Sequence, residues 1–106
     1  NQTRSFCYID DLILGIYNLL NINYAFPVNI GNDDEVTIND VAKLIIKLLG
    51  SSSNIVYNDL PKDDPIKRKP DLTLAKKLLD WNPKVKKEEG FKTLIDFYRE
   101  NGLINK

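Results

Sequence analysis

Apolar and polar positions alternate at the start of the chain and then change period. Residues 3–9, Thr-Arg-Ser-Phe-Cys-Tyr-Ile, roughly alternate, which predicts a strand or an extended entry segment. Leu12, Ile13, Ile16, Tyr17, Leu19 and Leu20 then recur at helical spacing. They predict a helix capped by Asp10 or Asp11 and ending near residues 21–23. Residues 27–31, Pro-Val-Asn-Ile-Gly, predict a short buried strand closed by a glycine turn. Ile38, Val41, Ala42, Ile45, Leu48 and Leu49 mark a second helix. Thr37 is its cap, Asp40 stands three residues on as in a capping box, and Gly50 ends it. Ile55-Val56-Tyr57 predict another short strand.

Residues 59–70 hold Pro61, Pro65 and Pro70 among mixed charges and read as a loop. Asp71 caps a third helix carrying Leu72, Ala75, Leu78 and Leu79. That helix stops at Trp81-Asn82-Pro83, because proline cannot continue it. A final helix over about 88–101 places Phe91, Leu94, Ile95 and Tyr98 on one face, and Glu88 and Glu89 at the positive end of its dipole. It is expected to pack on the Leu78–Trp81 region. The pattern is α/β, with about four helices and three short strands. Three short strands seldom make a stable sheet by themselves. Val28–Ile30 therefore reads as an edge strand of a larger sheet completed by other sequence.

Composition narrows the partners. The 106 residues make one small domain at most, with 42% apolar and 28% charged content ordinary for a globular protein. Lysine plus arginine number 15 and aspartate plus glutamate 15, so no broad basic field exists to hold nucleic acid or an anionic membrane. Any anion site must be local. Cys7 is the single cysteine, which rules out an internal disulfide and fits a reducing compartment. The cytoplasm is the expected location of the parent protein, with the Golgi lumen the alternative. No apolar run reaches the roughly 20 residues of a membrane span. The chain has no methionine and opens on Asn1-Gln2-Thr3-Arg4, which we read as a piece of a longer polypeptide.

The chemistry-bearing residues are few. There is no histidine, and one cysteine cannot make a zinc site, so no metal centre is expected. Gly15, Gly31, Gly50, Gly90 and Gly102 form neither a dinucleotide fingerprint nor a P-loop. One dense cluster remains, Asp63-Asp64-Pro65-Ile66-Lys67-Arg68-Lys69-Pro70-Asp71. An arginine between two prolines, ahead of a helix N-terminus, suits a phosphate. Asp71 would repel phosphate and better serves a neutral hydroxyl such as a ribose. By composition alone the run reads first as a solvated loop, with Asp71 only a cap. Arg4 is a second candidate. On a strand, Phe6 and Tyr8 would share its side, and an arginine beside aromatics can hold a base and its phosphates. Alone, Arg4 reads first as a surface residue over a half-buried strand.

These segments, in this order, resemble the extended short-chain dehydrogenase/reductase family, the NAD-dependent epimerases and dehydratases. Gln2-Thr3-Arg4-Ser5-Phe6-Cys7-Tyr8-Ile9-Asp10-Asp11 is similar to the family's R-x-F-x-Y-V-x-D stretch. Residues 27–32, Pro-Val-Asn-Ile-Gly-Asn, resemble its last central strand. Asp63-Asp64-Pro65 through Arg68, Pro70 and Asp71, then Ala75, Leu78, Leu79, Trp81 and Pro83, is similar to its D-D-P-x-x-R-x-P-D … A-x-x-x-L-G-W-x-P signature. Glu88-Glu89-Gly90 resembles its closing E-E-G-L helix. Asp80 stands where the family has glycine. Within the family, residues 2–6 and 63–71 are most similar to the branch that decarboxylates UDP-glucuronate.

The resemblance implies a fold and a chemistry. Residues 1–106 would be the C-terminal nucleotide-sugar-binding domain of a Rossmann-type enzyme, with its NAD-binding domain absent from this chain. NAD would be the cofactor, held mainly by that missing domain. In the decarboxylase branch NAD oxidises C4 of the glucuronate, the β-keto acid loses carbon dioxide, and NADH reduces the ketone to leave UDP-xylose. The family's Tyr-x-x-x-Lys pair is missing here, so no catalytic residue is expected in this chain and the chain alone is expected to be inactive. Its part would be the grip on UDP, with Arg4 and Arg68 on the diphosphate, Asp71 on the ribose and Tyr8 beside them. A homodimer is implied for the full-length enzyme. The alternatives are another nucleotide-sugar epimerase or 4,6-dehydratase of the family, and a non-enzymatic helical interaction module.

Overall fold

The computed structural model describes residues 2–104; Asn1, on which the chain opens, lies outside them. Two three-residue strands and four helices follow in the order β1 (Thr3–Ser5), α1 (Ile9–Leu20), β2 (Glu35–Thr37), α2 (Ile38–Leu49), α3 (Thr73–Leu79) and α4 (Lys87–Glu100). β1 and β2 pair antiparallel, with Thr3 opposite Thr37 and Ser5 opposite Glu35. The four expected helices are present. The strands differ from expectation.

β2 was not foreseen, because Glu35-Val36-Thr37 is short and runs straight into the cap of α2. Neither residues 27–31 nor residues 55–57 join a ladder among the described residues. Val28 and Ile30 instead turn their side chains onto the core. Residues 55–57 lie along α2, where the Tyr57 hydroxyl bonds Asn39 Oδ1 at 3.1 Å. Only residues 3–5 of the alternating entry segment are paired. Tyr8 is extended and stands at the N-cap of α1 with no side-chain cap bond, and Ile9, the expected end of the segment, is already helical. Asp10 and Asp11 therefore sit inside the first turn of α1 rather than capping it.

α2 behaves as its residues dictate. The Asp40 amide donates to Thr37 Oγ1 at 3.0 Å. Gly50 takes φ 63°, a left-handed conformation that glycine adopts without a Cβ clash. Arg99 of α4 donates to the carbonyl of Leu49 at 3.2 Å and ties the two helices together. α4 thus packs on α2, a partner that its apolar face alone did not suggest. α1 packs on α3.

The core lies between α1 and α3. Leu72, Ala75, Leu79 and Trp81 are buried there, with Cys7, Leu19, Ile22, Val28, Ile30 and Leu78 packed around them. α1 can approach because Gly15 faces the indole. A Cβ at Gly15 would stand 2.6 Å from Ile30 Cγ2 and 3.1 Å from Trp81 Cε2.

The molecule is a slab of 49 × 37 × 18 Å. Its radius of gyration is 16.4 Å, against about 13 Å for a compact chain of this length. It exposes 8189 Å² of surface, against roughly 6,100 Å² for a compact protein of this mass. The excess includes an apolar stripe on α1, where Ile9, Ile13, Tyr17 and Leu20 lie in the open at helical spacing. Phe26, just beyond, is 70% exposed. No helix among the described residues is long and apolar enough to cross a membrane.

Candidate functional site

The site grows from the β1 edge. The Thr3 amide donates to the carbonyl of Ile66 at 2.8 Å, which draws the proline-rich loop against the strand. Two side chains reinforce that junction. Gln2 Nε2 donates to Asp64 Oδ2 at 2.7 Å, and Arg4 Nη2 donates to Asp64 Oδ1 at 2.8 Å. Arg4 Nη1 also donates to the Thr3 carbonyl at 2.6 Å. With the loop fixed this way, Arg68 and Lys69 come to the same cleft as Arg4.

That cleft has a volume of about 410 Å³. Arg4, Ser5, Arg68 and Lys69 line it from β1 and the loop, and the Gly31-Asn32 turn lines it opposite. Three of its lining residues are cationic and none is acidic, although the whole chain is neutral. Such a wall attracts a polyanion locally without a basic field elsewhere. Cys7 also lines it. Burial pushes the Cys7 thiol up, and the charge of Asp11 raises it further, so it stays a protonated thiol at neutral pH.

Asp71 is not among the residues lining that cleft. It borders an adjacent hollow of about 330 Å³ that shares Lys69 and Pro70 with it. Its Oδ1 accepts from the Thr73 hydroxyl at 2.5 Å and from the Thr73 amide at 2.9 Å. Those bonds, hydroxyl first, and then the Lys76 charge hold its carboxyl below the usual range. The Thr73 amide at the start of α3 is thereby taken by Asp71 itself.

Tyr8 is placed apart from the cationic cleft. The strand ends at Ser5, so Phe6 and Tyr8 do not continue the side that Arg4 presents. Both line a separate apolar cavity of about 270 Å³ with Val85, Gly90, Phe91 and Leu94. Phe6 meets Phe91 edge to face there, 5.4 Å between centroids. The structure thus brings Arg4 and Arg68 together, sets Asp71 next door, and sends Tyr8 elsewhere. It adds Gln2, Ser5, Asn32 and Asp64, which lie in the segments that carry the family resemblance but to which the residue pattern gives no role of their own. No group of three metal-ligating side chains occurs among the described residues.

No family model matches the chain. Individual proteins do. It is 44% identical over 99 residues to UDP-glucuronic acid decarboxylase 1 of Xenopus tropicalis, covering 93% of this chain and 24% of that protein. It is 41% identical over 98 residues to UDP-glucuronic acid decarboxylase 3 of Arabidopsis thaliana, covering 92% and 29%. Among solved structures it resembles the UDP-glucose 4-epimerase of Thermotoga maritima with UDP-glucose, with TM-score 0.88 and 31% identity over 94% of this chain and 32% of that one. The UDP-glucuronic acid 4-epimerase of Bacillus cereus, in complex with UDP-glucuronic acid and NAD, matches with TM-score 0.83 and 27% identity over 94% and 33%. By sequence and fold the chain is similar to the C-terminal part of enzymes of the extended short-chain dehydrogenase/reductase family. Within that family its curated relatives are UDP-glucuronic acid decarboxylases, and it spans about a quarter of their length.

Proposed function

We propose that this chain is the UDP-gripping part of an NAD-dependent UDP-glucuronate decarboxylase, which converts UDP-glucuronate to UDP-xylose and carbon dioxide. The observation that carries the reading is the cleft in which Arg4, Arg68 and Lys69 converge with no acid among the lining residues. Arginine binds a diphosphate through paired, charge-assisted hydrogen bonds, which is worth most where water is partly excluded. Asp71, held ionised beside that cleft, suits the hydroxyls of a ribose. The 44% identity to a decarboxylase supports the reaction.

The residues present do not fit NAD. Gly15 is packed inside α1 against Trp81, and Gly50 and Gly102 are left-handed residues just past helix ends. None forms the strand–turn–helix phosphate cradle of a dinucleotide site. NAD would supply hydride chemistry from a domain outside this chain, and this chain alone would be inactive. What its own residues contribute is binding energy remote from the reacting carbon, which positions the sugar.

The 31% identity to a UDP-glucose 4-epimerase favours a second reading, an epimerase. Product analysis separates the two. The full-length polypeptide carrying this segment, given NAD and UDP-glucuronate, should release UDP-xylose and carbon dioxide. UDP-galacturonate without loss of carbon dioxide would make it an epimerase. Arg68→Ala should weaken UDP binding roughly ten- to hundredfold, since a hydrogen bond to a charged group contributes about 1.5–3 kcal/mol. Arg68→Lys should recover only part of this, lacking the fork. Equal UDP affinity of Arg68→Ala and wild type would refute the phosphate role.

A further inference from the structure

We propose that Asp64 is a positioning residue that acts through Arg4, holding its guanidinium in place for the anion before the anion arrives. The proposal rests on the reading that the cleft takes a nucleoside diphosphate. Both oxygens of the Asp64 carboxylate are committed, Oδ1 to Arg4 at 2.8 Å and Oδ2 to Gln2 at 2.7 Å. The guanidinium is pinned at a second point, where Nη1 donates to the Thr3 carbonyl at 2.6 Å. The Arg4 side chain is only 18% exposed as a result. These contacts use two of the five N–H groups of a guanidinium, so the pair need not break for phosphate to bind.

Two effects of Asp64 oppose each other. Its charge repels a phosphate, and its hydrogen bond removes the disorder that a long side chain otherwise loses on binding. The repulsion is the smaller. Asp64 does not line the cleft, the Arg4 guanidinium is bound to it, and its side chain is 37% exposed to screening water. The ordering of one flexible side chain changes affinity by roughly three- to tenfold.

The test is UDP affinity by calorimetry in the full-length polypeptide, as a double-mutant cycle. Arg4→Ala should weaken binding by roughly ten- to hundredfold. Asp64→Ala should weaken it by roughly three- to tenfold, Asp64→Glu by less, and adding Asp64→Ala to Arg4→Ala should cost nothing further. A merely structural role for Asp64 would cost the same in both backgrounds and would overturn the proposal. So would unchanged or tighter UDP binding by Asp64→Ala. Should Asp64→Ala not fold, Asp64→Asn carries the same cycle, keeping the shape and losing the charge. A neutral Arg4→Ala would sink the phosphate reading of Arg4 itself. A loss in Arg4→Ala with additive Asp64 sinks only the role of Asp64.

Discussion

The indole N–H of Trp81 donates to the backbone carbonyl of Asp11 at 2.9 Å, joining two residues 70 positions apart in sequence. The Asp11 side chain completes the junction. Its buried Oδ2 accepts from the amides of Lys84 and Val85 at 3.0 and 2.9 Å. An acid in the first turn of α1 thus clamps the turn that follows α3. Removing the carboxylate leaves two amides without a partner, and each such loss costs about 1–3 kcal/mol. Asp11→Ala should therefore destabilise by about 2–4 kcal/mol. Asp11→Asn should cost less, because its carbonyl oxygen still accepts. Urea unfolding followed by Trp81 fluorescence checks both.

Asp80, at the end of α3, adopts φ 48° and ψ 41°. This left-handed conformation costs an L-residue roughly 1–2 kcal/mol, part of which glycine gives back as unfolded-state entropy. Asp80→Gly should stabilise the fold by about 0.5–1 kcal/mol. A rise in the thermal midpoint is the expected result. A fall would mean that the Asp80 side chain contributes more than its backbone strain removes.

The helices were legible in the sequence because each carries its own evidence. Thr37 and Gly50 bracket α2, and α3 ends at a left-handed Asp80, three residues ahead of the Pro83 that was expected to stop it. The strands were less so. Val28 and Ile30 have the apolar alternation of a strand, but a strand also needs a neighbour, and none lies beside them among the described residues. Asp11 was misread for a related reason. At a helix start an aspartate suggests a cap, and only the packing reveals that Lys84 and Val85 use it. At the site, residue type alone reads Arg4 as a surface residue and Arg68 as part of a solvated loop; the family resemblance singles them out, and the structure sets both on one cleft. The pairing of Arg4 with Asp64 depends on how the loop folds back, which no spacing encodes.

Cys7 offers a pH-dependent readout of the cleft. Burial and then Asp11 raise its thiol pKa, so the reactive thiolate is scarcer at neutral pH than in an exposed cysteine. Alkylation of Cys7 by iodoacetamide should be slow at pH 7 and should accelerate only above the ordinary thiol range. Because Cys7 lines the cleft with Arg4 and Arg68, saturating UDP should slow it further in the full-length polypeptide. Peptide mass spectrometry resolves this site from other cysteines. Fast labelling at pH 7, indifferent to UDP, would place Cys7 outside the cleft.

The exposed stripe of α1 leads to the last expectation. Ile9, Ile13, Tyr17 and Leu20 form one apolar face on a molecule flatter and more exposed than a compact chain of its size. An uncovered face of this kind promotes association, so the 106-residue chain by itself should self-associate. Ile13→Lys in that chain should shift sedimentation toward monomer with little loss of stability, because more than half of the residue already faces water. In the full-length polypeptide the same substitution should destabilise by about 1.5–3 kcal/mol, the worth of burying an isoleucine, since a larger domain would cover the stripe there. Hydrogen exchange should follow the same division. Amides at Val28–Ile30 have no ladder partner in the described residues and should exchange fast in the isolated chain, while those of α2 and α4 exchange slowly. Strong protection at Val28–Ile30 in the full-length polypeptide would mark the strand neighbour that the isolated chain lacks. Equal protection in both, in a dilute monomer, would mean that residues 28–30 need no outside strand at all.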